Sequence, residues 1–314
     1  MIDAQVSADL QKLQENIERA VLGKSNVVRM NMVALLAGEH VLLEDVPGVG
    51  KTLIAKAMAK SIAGHFSRLQ FTPDLLPSDI VGSSIYNAGT GQFLFNQGPV
   101  FANVVLADEV NRAPPRTQSA LLEAMSERQV SVDGQTHSLP NPFMVIATQN
   151  PFEFEGTYLL PESQLDRFLL RLSVGYPARE SERQLLQSHR EGEPVDQLQP
   201  VISTERIRYA QQAVRQVRVD EALVEYLLNI VHETRESELV QVGVSTRGAL
   251  SFYRAAQALA IIEGRNFVVP DDIKRLAVPV IAHRIVPRGL LPGADRSGAE
   301  EVVRKLLEKV RVPT

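Results

Sequence analysis

Apolar residues recur along the chain with two periods, and the switches between them lay out the elements. Val6, Leu10, Leu13, Ile17 and Val21 fall at three- and four-residue steps, one stripe of a helix that stops at Gly23. A second apolar helix is predicted over about Ser25 to Ala37, ending at Gly38. Val41 to Glu44 reads as a strand, followed by a loop rich in Gly and Pro and an Ala-rich helix to about Ala63, closed by Gly64. Phe66 to Phe71 is a further strand, and Asp74 to Gly82 a loop or short helix. Ser84 to Phe95 places N-A-G-T-G between apolar flanks, which predicts a hairpin. Asn103 to Ala107 is a short apolar run ending in Asp108-Glu109, the pattern of a buried parallel strand with acids at its C-terminal end. Pro114-Pro115 opens a helix whose apolar face is Leu121, Leu122 and Met125. Gln129 to Leu139 alternates about Asp133-Gly134, a second hairpin. Phe143 to Thr148, ending at Gln149-Asn150, and Leu169 to Val174 are the last strand runs.

Strands alternating with helical segments build a parallel sheet with helices on both faces. A helical run from Arg179 to Arg190 is followed by a polar stretch with two prolines, E-G-E-P-V-D-Q-L-Q-P, which reads as a linker. Beyond it strand signals nearly vanish, and helical runs fall at about 204–216, 220–236, 246–263, 271–283 and 297–310. The expected fold is therefore α/β. A P-loop parallel-sheet core with N-terminal helices and two β-hairpin inserts occupies 1–190, a linker 191–202, and a small all-helical domain 203–314.

Composition narrows the classes of function. A net charge of −4 and a pI near 5.9 argue against a chain whose main task is coating nucleic acid. The absence of Cys excludes disulfides and thiolate metal sites. No apolar run approaches the ~18 residues of a membrane span, and the N-terminus lacks the basic start and apolar core of a signal peptide. A cytoplasmic chain is the expectation. Arg outnumbers Lys 25 to 8, so most cations suit bidentate phosphate or carboxylate contacts.

The chemistry gathers at strand ends. In V-L-L-E-D-V-P-G-V-G-K-T, Gly48 and Gly50 let backbone N–H groups approach phosphate oxygens, and the helix N-terminus that follows favours anions. Lys51 would reach the β- and γ-phosphates, and Thr52 would ligate magnesium. The full phosphate-loop pattern has Gly where this chain has Asp45, so that carboxylate must point away from the phosphates. Asp108 would hold magnesium and Glu109 would activate the attacking water as general base. Asn150, at the end of a neighbouring strand, would hold that water against the γ-phosphate. Phosphoryl transfer gains from an extra cation, and Arg167 in L-D-R-F and Arg247 in S-T-R-G-A-L are the candidates. One from the small domain and one from a neighbouring subunit would make the site depend on assembly. Arg112 and Arg116 flank the acidic strand end as interface residues or as surface residues of a helix start. His137 reads as a hairpin surface residue without a catalytic role.

With these pieces in order, the chain resembles the AAA+ ATPases, and among them the MoxR family, over nearly its whole length. L-L-E-D-V-P-G-V-G-K-T resembles Walker A, N-V-V-L-A-D-E Walker B, A-T-Q-N-P sensor 1, L-D-R-F the arginine-finger region and S-T-R-G-A-L sensor 2. F-T-P-D-L-L-P-S-D-I-V-G and L-L-E-A-M-S-E-R-Q-V are similar to MoxR proteins in particular, and the hairpins fall where this clade carries its two inserts. The resemblance implies that Val21, Leu22 and Gly23 pack on adenine and that Pro47, Gly48, Val49, Gly50, Lys51, Thr52 and Leu53 hold ATP with Mg2+. It further implies a homo-oligomeric ring, hexameric, that matures a protein client in a chaperone-like way. Partners carrying a von Willebrand factor A domain go with it. Two other readings share the fold: a nucleic-acid motor and the ATPase subunit of a metal chelatase. A motor gripping phosphate should carry cations on its hairpins, yet the first hairpin has no charged residue and the second only Asp133.

Overall fold

The computed structural model of the chain describes residues 4–150, 156–188, 192–289 and 297–313. Two helices lead, α1 (Ala4–Ala20) and α2 (Ser25–Ala37). Helix α2 ends on Gly38, whose left-handed φ of 73° sends two backbone N–H groups back to the carbonyls of Leu35 and Ala34. Then come β1 (Val41–Glu44), α3 (Lys51–Ser61), β2 (Phe66–Gln70), the short α4 (Pro77–Val81), the strands β3 (Gly82–Asn87) and β4 (Gln92–Gln97), β5 (Val104–Asp108) and α5 (Pro115–Glu127). Strands β6 (Gln129–Val132) and β7 (Gln135–Ser138) precede β8 (Met144–Gln149), α6 (Glu162–Leu165), β9 (Leu170–Leu172) and α7 (Arg179–Ser188). The remainder is α8 (Thr204–Val214), α9 (Glu221–Glu236), β10 (Val240–Val242), α10 (Thr246–Ile262), α11 (Pro270–Ile281), β11 (Val286–Pro287) and α12 (Ser297–Lys309).

Five strands form one parallel sheet in the order β2-β5-β8-β1-β9. Because the strands are parallel, their C-terminal ends share one edge. The phosphate loop after β1, Asp108-Glu109 at the end of β5 and Asn150 after β8 are brought together there. Successive side chains on a strand face opposite sides, and the two sides belong to two cores. Val41, Leu43, Val104, Leu106, Met144 and Ile146 face one; Leu42, Val105, Ala107, Val145 and Ala147 face the other. The second core is closed by α4 and α5 through Ile80, Leu121, Leu122 and Met125. The first runs without a break through α1 and α2 into the C-terminal helices, where Phe252, Leu259, Ile273 and Leu276 are buried. The helical part thus has no core of its own. It shares one with the sheet.

Local signals act as the sequence predicts at several points. The turn of the β6–β7 hairpin holds Asp133 at φ 51° and Gly134 at φ 76°, both left-handed, as a two-residue turn matched to strand twist requires. Helix α11 starts at Pro270, and the Asp272 carboxylate accepts from the Val269 N–H at 3.0 Å. The C-terminal helices are as expected, except that β10 and β11 pair as a short antiparallel ribbon among them. Segments of two and three residues carry too little alternation to register as strands. Helix α3 ends earlier than expected, and Ala63 rather than Gly64 takes the left-handed position at φ 52°. A Cβ on Gly64 would come within 3.0–3.2 Å of Ile62 and Asn103, so that glycine serves close approach instead. Strand β9 stops at Leu172, because Ser173 and Gly175 turn their donors to Asp45. Arg190 and Glu191, where the helical run was expected to end and the linker to begin, lie outside the described residues, as does Pro151 of A-T-Q-N-P.

The two hairpins touch. His137 on β7 stacks on Phe95 of β4 with ring centroids 4.0 Å apart, and Phe95 meets Phe101 edge-on at 5.7 Å. His137 is therefore a half-buried joint between inserts and not the free surface residue expected.

His40, at the entrance to β1, is fully buried. The Val145 N–H donates to its Nδ1 at 2.9 Å, so its Nε2 carries the proton and donates to the Met125 carbonyl at 3.1 Å. Burial pushes its pKa down to about 4, helped by Arg128 and opposed by the Met125 bond. The unfolded imidazole takes a proton near pH 6.5 and the folded one does not. Stability is therefore expected to fall as pH drops from about 6.5 toward 4, by up to about 1.4 kcal/mol per unit. Ring NMR shifts of His40 should stay constant down to about pH 5, whereas a midpoint near pH 6.5 in the folded protein would refute this.

Candidate active site

The loop between β1 and α3 is built for a phosphate chain. Gly48 and Gly50 sit at φ 84° and 94°, a region that disfavours a side chain, and a Cβ on either would meet nothing within 4 Å. The space beside the loop is open, and α3 begins at Lys51 with its first N–H groups directed at it. Lys51 Nζ donates to the Asp45 carbonyl at 2.7 Å and bridges the loop.

Asp45 points away from this space. Its carboxylate accepts from the Val46 N–H at 2.8 Å, the Ser173 hydroxyl at 2.8 Å and the Gly175 N–H at 2.6 Å. Burial pushes this carboxyl up, but the bonds from Gly175, Ser173 and Val46 outweigh it and hold it below its ordinary range. The residue that breaks the sequence pattern thus fastens the root of the phosphate loop to the segment after β9.

Opposite the loop stand the acids at the end of β5. One Asp108 oxygen accepts from the buried Thr148 hydroxyl at 2.6 Å, and the other from Arg68 Nη2 at 2.6 Å. Glu109 adopts φ 58° and ψ 51°, a left-handed conformation uncommon for a residue with a side chain and typical of functional sites. Its N–H donates to the Thr148 hydroxyl at 2.9 Å. Its carboxylate accepts from Gln70 Nε2 at 2.8 Å and lies 3.4 Å from Arg112 Nε. Asn150, only 6% exposed, lines the same space.

Loop and acids enclose a cavity of about 850 Å3. Its far wall is apolar: Val21 and Leu22 from the α1–α2 turn, Tyr176 and Pro177 after β9, and Leu185 and Leu186 of α7. A flat base fits such a wall, with its phosphates on the loop. Gly23 is not among the described lining residues. A Cβ there would fall 2.3 Å from the Ser181 hydroxyl, so this glycine lets α7 close against the turn. Thr52 and Asp108 offer the oxygen donors a hard divalent cation prefers. Among the described residues no three His, Asp or Glu side chains gather as a metal cage.

Neither Arg167 nor Arg247 is among the described residues that line the cavity. Arg167 follows α6 and donates to the Leu122 carbonyl at 2.9 Å and to the Ser126 hydroxyl, both on α5. Arg247 is exposed in the first turn of α10. Burial pushes the Glu39 carboxyl up, while the charges of Arg128, Arg284, Arg247 and Arg254 act against it. Arg116 is exposed on α5, whereas Arg112 faces Glu109 rather than only flanking the strand.

Sequence reasoning missed Arg68 and Gln70, which hold both acids. They stand two apart on β2 and so share a face, and the register pairs Gln70 with Asp108. That alternation could have flagged them, but only once β2 was known to lie beside β5.

Comparison with known proteins agrees with this geometry. Residues 40–170 match the ATPase family associated with various cellular activities, and residues 232–306 match an AAA lid domain. The chain is 50% identical to the Bacillus subtilis protein YeaC, over 97% of this chain and 95% of that one. It is 43% identical to Chaperone MoxR1 of Mycobacterium tuberculosis, over 95% of this chain and 80% of that one. Among solved structures, a candidate ATPase from Cytophaga hutchinsonii superposes with a TM-score of 0.88 at 36% identity, covering 99% of this chain and 96% of that one.

Proposed function

Because the chain belongs to the MoxR family of AAA+ ATPases and is an ATP hydrolase, we propose that it uses hydrolysis to remodel or mature a protein client, as a hexameric ring in the cytoplasm. In this reading the division into a nucleotide-binding part to residue 190, a linker over 191–202 and a lid from 203 is the working anatomy of one subunit. Adenine lies against Val21 and Leu22, and the triphosphate lies along Pro47 to Leu53 with Lys51 on its β- and γ-phosphates. Thr52 and Asp108 would hold magnesium, which would supply positive charge against the phosphates. Glu109 takes the proton of the attacking water, which Asn150 orients. Arg167 and Arg247 stand outside this subunit's cavity, which supports both serving the site of a neighbour. That revises the expectation of one cation from within and one from outside. A head-to-tail contact of this kind generates a ring when its rotation closes.

The observation that carries the choice of a protein client is the β3–β4 hairpin. Residues 82–97 include no charge, yet Tyr86 and Phe93 stand 56% and 72% exposed, with rings 5.4 Å apart. Exposed aromatic pairs suit polypeptide side chains, whereas a strand of nucleic acid calls for cations as well. A partner with a von Willebrand factor A domain fits the same reading, and no helix of the described residues is long and apolar enough to cross a membrane.

The test uses the hydrolysis-deficient Glu109→Gln form loaded with ATP. It should retain client proteins that are released on exchange to ADP, and Tyr86→Ser with Phe93→Ser should abolish the retention. Single-stranded DNA should leave wild-type turnover unchanged. DNA-stimulated turnover that fades with salt would instead establish the motor reading.

A further inference from the structure

Arg284 is 1% exposed at its side chain, and its donors are turned to the segment around Arg167 and to the end of the preceding helix α11. Its Nε donates to one Asp166 oxygen at 2.8 Å, its Nη1 to the carbonyls of Leu169 (2.9 Å) and Val280, and its Nη2 to the Phe168 carbonyl at 2.6 Å. The second Asp166 oxygen accepts from the Ser245 hydroxyl at 2.9 Å. That same hydroxyl caps α10 by accepting from the Gly248 N–H at 2.9 Å. A Cβ on Gly248 would come within 2.9 Å of Arg284, so the first turn of α10 rests directly on this guanidinium. Both oxygens of Asp166 are therefore committed to the lid, one to each of two lid elements. Asp166 immediately precedes Arg167, and Ser245 stands two residues before Arg247.

We infer that Asp166 is a positioning residue that joins Arg167 and Arg247 into one rigid pair. Through Arg284 and Ser245, the lid of one subunit is fastened beside Arg167, so that both cations reach the nucleotide of the next together. The inference rests on the reading above that both arginines act in trans. Two cations on separate mobile parts would drift relative to each other, and a misplacement of about 1 Å costs on the order of a hundredfold in rate. A shared carboxylate, half-buried and held by the buried Arg284, removes that freedom.

The test is complementation between inactive subunits. Asp166→Asn is expected to bind ATP as the wild type does and to lose turnover by about tenfold to a hundredfold. Glu109→Gln keeps its arginines but lacks the base. In a randomly mixed equimolar ring, one interface in about four sets an intact Glu109 against an intact arginine pair, so up to about a quarter of wild-type turnover should return. Arg167→Ala mixed with Glu109→Gln serves as reference. Recovery in both mixtures supports the inference. Recovery with Arg167→Ala but not with Asp166→Asn overturns it and leaves the trans reading standing; recovery in neither overturns both. Full turnover in Asp166→Asn alone also overturns it. Should Asp166→Asn fail to fold, Ser245→Gly removes the hydroxymethyl side chain and with it the bond to Asp166, at a few tenths of a kcal/mol for the cap. It should lower turnover and complement Glu109→Gln, and Ser245→Thr should restore it. Wild-type turnover in Ser245→Gly would count against the inference.

Discussion

Replacing Arg167 with Ala is expected to lower ATP turnover by about a thousandfold or more while nucleotide affinity stays near wild type. The size follows from the chemistry. Charge develops on the γ-phosphoryl oxygens as the bond to the leaving group breaks, and an added guanidinium stabilises that state far more than the ground state. The sparing of affinity follows from position. Arg167 is not among the described lining residues, and its hydrogen bonds go to Leu122 and Ser126 of α5. Its removal leaves the phosphate loop, the acids and the apolar wall in place. Turnover of wild-type protein should also fall on dilution below the concentration at which subunits assemble. Steady-state rates over a concentration series, with nucleotide titrations on the same samples, check both statements. Unchanged turnover in Arg167→Ala would remove this residue from the mechanism.

Glu109→Gln is expected to reduce turnover by about a hundredfold or more without loss of ATP binding. The amide has the shape of the carboxylate and can still accept from Gln70 or Arg112, so the strand end and its left-handed turn should survive. What disappears is the capacity to take a proton from water. Single-turnover rates with bound ATP isolate that step from binding. In the wild type Gln70 Nε2 donates to one oxygen of the Glu109 carboxylate at 2.8 Å. Retention of full single-turnover rate in the Gln form would reject Glu109 as the base.

Much of this site is legible in the sequence because its parts are local. A glycine loop between a strand and a helix, an apolar run ending in two acids, and Asp-Gly between alternating residues each declare themselves within about ten residues. The sheet follows from their repetition, since strands such as Val104–Asp108 and Met144–Gln149 are buried on both faces and read as continuous apolar runs. What stays hidden depends on which distant segments meet. Asp45 breaks the phosphate-loop pattern, and only the approach of Ser173 and Gly175 shows its use. Arg68 and Gln70 acquire roles through the register of β2 on β5. Arg247 opens a helix that could turn toward either side of the subunit, and its side is set by the Ser245–Asp166 contact. His137 finds Phe95 because two inserts separated by an entire strand and helix fold onto each other.

The unbroken first core, which passes from the sheet through α1 and α2 into the lid helices, bears on how such proteins can be recombined. A cut ahead of α8 would strip apolar surface from both pieces, because α2 packs on α8 and α10 while α1 packs on α3 and α10. A lid grafted from a relative would therefore meet the wrong side chains on α1 and α2 unless those helices travelled with it. The unit of exchange is the lid together with residues 4–37, two stretches far apart in the gene that pack on each other.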